Sequence, residues 1–137
     1  MSAVARAYTS QPEAVTPSSF QPAASAESDR PVDLVHLSRF TMGNRDLERE
    51  VLLLFCKQSI LFIERLKAAG DDKSWREAAL TMKGSARGIG AWEVGNAAFA
   101  AEQLTGAERE AQGPAAIKTL EAAMKEACDF IHRILGE

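Results

Sequence analysis

AALTMKGSARGIGA, residues 78 to 91, is the stretch on which the fold turns. Wound at about 100° per residue, it aligns Trp75, Ala79, Met82, Ala86 and Ile89 at steps of four, three, four and three. That side is the buried stripe of an amphipathic helix. Arg76, Lys83, Gly84 and Arg87 fall opposite, and Leu80 sits among them, an apolar side chain on a basic and otherwise solvated face. One exposed leucine is ordinary on a protein surface. A glycine inside a helix is not, since it costs about 1 kcal/mol relative to alanine, so Gly84 calls for a reason.

Punctuation around this helix sets its limits. Gly70 precedes Asp71 and Asp72, either of which can cap an N-terminus, and Gly88 and Gly90 mark the end, so the spacing predicts a helix from about Lys73 to Arg87. Upstream, PVDLVHLSRFTMGN carries Leu34, Leu37 and Phe40 at three-residue steps, with Asp33 near the start and Gly43-Asn44 as the stop. This predicts a short first helix. A long helix follows from Asp46 to about Ala69, with one stripe of Leu47, Val51, Leu54, Phe55, Phe62 and Leu66 and a second of Leu52, Cys56, Ile60 and Ile63. Apolar over most of its circumference, it is expected to be central and contacted from more than one side.

Downstream, Trp92 to Leu104 predicts a fourth helix with Val94, Ala97, Ala98 and Ala101 inward and Thr105-Gly106 closing it. A polar connection then leads to Pro114, a favoured first helical residue. The last helix carries Ile117, Leu120, Met124, Ala127, Cys128, Ile131, Ile134 and Leu135. No strand pattern, GxGxxG, P-loop or internal repeat is present in the 137 residues.

Composition agrees with an all-α chain: 46% hydrophobic but only 7% aromatic, so the core is built from Leu, Ile, Val, Met and Ala. Residues 1–30, rich in Ser, Ala, Pro, Gln and Thr, lack the apolar content to offset their ordering entropy and are expected to be a flexible tail before a domain over residues 31–137. A net charge of −3 provides no global basic field for nucleic acid. The longest apolar run, Val51 to Ile63, is broken by Lys57, Gln58 and Ser59 and falls short of the roughly 20 residues that span a membrane. The N-terminus has no continuous apolar segment of the secretory type. Cys56 and Cys128, far apart and in no CxxC pattern, read as buried thiols of a reducing compartment, so a cytoplasmic location is expected.

The 78–91 stretch resembles the signature of histidine-containing phosphotransfer (HPt) domains, a helical H-x-x-K-G preceded by a small residue. The matching residues are Ala79, Leu80, Thr81, Met82, Lys83, Gly84 and Ser85, and the likeness of helix order extends over roughly residues 32 to 135. The resemblance implies an antiparallel four-helix bundle of HPt type with a short additional N-terminal helix, no cofactor, a monomer, and a place in a bacterial two-component phosphorelay. It implies a receiver domain or histidine kinase as partner. The chemistry accounts for the spacing independently: phosphoryl transfer to an imidazole needs a nucleophile exposed on a rigid element. Lys83 shares that face and can neutralise phosphate oxygens. Gly84 leaves room for an incoming partner, and Arg76 and Arg87 add charge complementary to an acidic surface.

The chain departs from the family at the acceptor itself. Leu80 stands in the histidine position, and a leucine has no lone pair to accept phosphate. Thr81 lies about 100° away round the helix and has no adjacent base. His36 and His132 are not followed by Lys and Gly at the required steps, and no cluster has metal-ligand spacing. Glu48 and Glu50 suit the dipole at the start of the long helix.

Three readings follow. In the first, an HPt-like protein without an acceptor works by binding through Arg76, Leu80, Lys83, Gly84 and Arg87, and is not an enzyme. In the second, a true phosphotransfer protein has had its histidine substituted by Leu80. In the third, the chain is a structural helical module unrelated to signalling, with Phe99 and Trp92 on the outer side of the fourth helix as its surface.

Overall fold

The computed structural model describes residues 30–136. The expected tail, residues 1–30, lies outside them but for Arg30. Five helices follow in order: α1 (Leu34–Thr41), α2 (Arg45–Ala68), α3 (Asp72–Ile89), α4 (Trp92–Glu102) and α5 (Gly106–Leu135). There is no strand among the described residues. Each long helix packs on the next, α5 returns to α2, and α1 lies on α2 and α3. Among the described residues no helix is long and apolar enough to cross a membrane.

The helix starts are made by side chains. Asp33, Asn44 and Asp71 accept from the backbone N–H groups of His36, Leu47 and Ser74 at 3.1, 3.0 and 2.8 Å, each satisfying one orphan donor of a first turn. Asp33 has further work. Its backbone N–H donates to the Gly90 carbonyl at 2.9 Å, and its second carboxylate oxygen accepts from Trp92 Nε1 at 3.1 Å. These bonds fasten α1 to the α3–α4 corner. Gly90 turns that corner at φ 82°, and a Cβ there would stand 2.8 Å from both the Cβ and the carbonyl oxygen of Asp33. Only glycine fits.

The core is aliphatic, with Leu37, Leu52, Leu66, Met82, Leu120 and Ile131 fully buried. Where α3 meets α4 the side chains are small, Ala79, Ala86, Ala98 and Ala101 being almost wholly enclosed. One large residue bridges this seam: Trp75 donates its Nε1–H to the Ala101 carbonyl at 2.7 Å.

Two expectations are corrected. α5 begins at Gly106, and Pro114 lies inside it instead of at its first position. An interior proline costs about 3 kcal/mol or more in a lone helix. Here the turns before it are held from outside: Asp72 accepts from the Gly106 N–H at 3.0 Å and from Arg109 Nε at 2.7 Å. Buried Gly113 sits against Trp75, where a Cβ would approach the ring at 3.3 Å.

The second correction concerns Cys56 and Cys128. They are not separate thiols but a disulfide joining α2 to α5, with Cα atoms 5.7 Å apart across 72 residues of chain. Sequence spacing carries no sign of this, and the argument for a reducing compartment from unpaired cysteines falls away. α2 is met by three helices, α1, α3 and α5, as its broad apolar surface leads one to expect, and one line of it stays open. Phe55, Leu66, Leu52, Cys56 and Ile63 are buried, Val51 and Phe62 half-buried, but Leu47, Leu54, Ile60 and Leu61 face outward.

Candidate functional site

The outer face of α3 brings the five expected residues onto one helix, each in a different condition. Leu80 is 47% exposed while Ala79 and Met82, its neighbours on the inner side, are at 0%. The periodicity therefore puts hydrocarbon into solvent at the middle of an 18-residue helix whose two ends are both anchored. Asp71 caps the start, and the Gly90 N–H closes the end on the carbonyls of Ala86 and Arg87.

Gly84 lies one turn on and is exposed; a Cβ there would meet nothing within 4 Å. The chain's own packing does not require this glycine. Gly95 on α4 is different, since a Cβ there would stand 3.1 Å from Arg87 Cγ. Its missing side chain lets the Arg87 stem lie across α4.

Lys83 is committed within the molecule. Its Nζ donates to Glu102 Oε1 at 2.7 Å, and the two side chains are only 17% and 16% exposed. A half-buried, charge-assisted pair of this kind is stronger than a surface ion pair. Its ammonium can reach an external anion only by sharing or leaving Glu102. The cationic character of the face rests mainly on Arg87 and Arg76, both exposed. Arg76 lies near enough to Asp72 to help hold that carboxyl below its usual pKa, after the larger effects of the Gly106 N–H and Arg109.

Phe99 completes the face and was not among the expected residues. It is 46% exposed, with Lys83 Nζ 5.3 Å and the Arg87 guanidinium 5.8 Å from its ring centroid. Both distances suit cation–π attraction. The sequence pattern assigned Phe99 with Trp92 to a separate surface on α4, but the structure divides that pair. Trp92 is half-buried, bonded to Asp33 and edge-on to His36 at 4.9 Å. Phe99 faces α3. The signal was there in part, because the run from Val94 to Ala101 is small on one side and leaves Phe99 the only large apolar group on the other.

The alternative nucleophiles are engaged or remote. Thr81 Oγ1 donates to the Glu77 carbonyl at 2.9 Å, within its own helix. His36 belongs to α1 and His132 to α5. Among the described residues no group of three His, Cys, Asp or Glu could hold a metal ion.

No family model, curated protein or solved structure matches this chain. The chemistry of the face must therefore speak for itself. Two half-exposed apolar groups, Leu80 and Phe99, lie on a face with two exposed arginines and an internally neutralised lysine. Such a surface can bind a partner that is apolar at its centre and acidic at its edge. Arg76, Leu80, Lys83, Gly84 and Arg87 bring no imidazole to it.

Proposed function

We infer that the chain is an HPt-like protein of a two-component phosphorelay, of the antiparallel four-helix type, that docks a receiver domain or histidine kinase through the outer face of α3 and carries no phosphate. The observation that supports this most is the half-exposed Leu80 midway along α3, followed at three and four residues by Lys83 and a glycine that internal packing leaves free. Leu80 and Phe99 supply apolar contact where a histidine would supply chemistry, and Arg76 and Arg87 steer an acidic partner. A partner of this class implies a cytoplasmic location, where the Cys56–Cys128 pair would stand reduced.

The test is binding of purified receiver and kinase domains by titration calorimetry. Arg87→Glu and Leu80→Glu are better probes than Lys83→Glu, which would set a second carboxylate against Glu102. A saturable complex weakened roughly tenfold or more by Leu80→Glu is expected; no complex with any receiver or kinase counts against the reading.

The kept spacing of Lys83 and Gly84 also favours a second reading, in which Leu80 replaces a working histidine. Leu80→His distinguishes the two, since on the second reading the restored protein passes phosphate both to and from its receiver. On the first, the restored protein can take phosphate from its receiver but hands it on to no other domain.

A further inference from the structure

α2 turns a second apolar line outward, away from the residues it buries. Leu47, Leu54 and Leu61 are 40%, 50% and 55% exposed. Their seven-residue spacing puts them on one seam about 21 Å long at 1.5 Å per residue. An exposed row of leucines of this length is a contact surface in search of cover, and no other element among the described residues covers it.

The charges beside the seam say what the cover is. Glu50 and Lys57 lie on the same flank of it, four residues before and three after Leu54. Both are exposed, and neither forms a salt bridge among the described residues. Arg45 and Arg49, which would spoil the pattern, fall roughly half a turn from Leu47 on the far side. Between Leu47 and Leu61 the flank thus carries an acid before Leu54 and a base after it; the next residue in that phase, Glu64, lies beyond Leu61 and 3.9 Å from Lys67. A helix with that order is complementary to a reversed copy of itself. Laid parallel, it would set Glu50 against Glu50 and Lys57 against Lys57.

We propose that α2 pairs with α2 of a second copy of this chain, antiparallel about a two-fold axis at Leu54. Leu47 then packs on Leu61 of the other copy, Leu54 on Leu54, and Glu50 meets Lys57 at both ends. The interface is isologous and closes on itself, so assembly stops at two. It departs from the monomer that the HPt resemblance implies, and it does not depend on the reading of α3, which uses a different helix.

Sedimentation of the full chain over a dilution series tests this. The expected mass is twice the 14.8 kDa of the chain. Leu54→Glu, which sets two carboxylates on the axis, should weaken the dimer roughly tenfold or more with an unchanged circular dichroism spectrum. Glu50→Lys should also weaken it, and adding Lys57→Glu should restore it. Leu54→Cys should oxidise to a covalent dimer, whereas Leu47→Cys should not, because it faces position 61. A chain that stays monomeric at every concentration overturns the proposal and gives the seam to another occupant. So does a dimer indifferent to Leu54→Glu, or one that Leu47→Cys cross-links alone.

Discussion

The two sides of α3 are built to different demands. On the inner side residues large and small answer to a neighbour: Trp75 to the Ala101 carbonyl and Gly113, Ala79 and Met82 to complete enclosure, Gly90 to Asp33. On the outer side Leu80 is half in solvent and Gly84 has open space where a side chain could be. The same helix thus carries one face whose sequence is explained by its own fold and one whose sequence is not. What the fold leaves unexplained is where an outside partner is to be sought.

Substitutions that compare the two faces can break this contrast. Met82→Ala should lower the stability to chemical denaturation by about 2–5 kcal/mol, the range for opening a cavity at a fully enclosed site. A cost below that of surface changes would mean that the inner side is not the core. The glycines provide a sharper pair. Gly90→Ala is expected to destabilise by about 1–3 kcal/mol, from left-handed strain and the clash with Asp33. Gly84→Ala should stabilise by about 0.5–1 kcal/mol, because a helical glycine is replaced without obstruction, yet weaken partner docking. A Gly84→Ala protein both more stable and equally good at binding would remove the external reason for that glycine. Leu80→Ala should move stability by no more than about 0.5 kcal/mol.

The smallest expected effect is on the pH axis. Backbone donation from Gly106 and the Arg109 guanidinium hold the Asp72 carboxyl below its ordinary pKa. A carboxyl whose folded pKa is depressed adds stability that is fully present above the unfolded value and is lost as pH falls towards the folded one. Asp72→Asn should therefore be less stable than the parent near neutral pH, with the difference closing as pH falls, so that its acid unfolding followed by circular dichroism begins at slightly higher pH. An unchanged acid limb would separate the start of α5 from this contact.

Much of this was legible in the chain. The α3 stripe, the short α1 with Asp33 at its head, and the stop near Gly90 are local properties, written in spacing and capping residues. The start of α5 was not, because Pro114 obeys a local rule that Asp72 and Trp75 override from more than 30 residues away. The Cys56–Cys128 bond has no local trace at all. α2 shows a third limit: apolar residues round most of a helix look alike whether their cover is the same molecule or another. For the site, helical phase was enough to expose Leu80, but the pairing of Lys83 with Glu102 and the arrival of Phe99 depend on how α4 lies against α3.

The central claim is that the outer face of α3 keeps the setting of a phosphoacceptor and lacks the acceptor. Its most direct test incubates the chain, and beside it the Leu80→His form, with a phosphorylated receiver domain and follows the phosphoryl group. The account predicts no phosphate on the chain as it stands and an acid-labile phosphoryl group on the restored one. Phosphate on the unaltered chain, or on neither with every receiver offered, would contradict it.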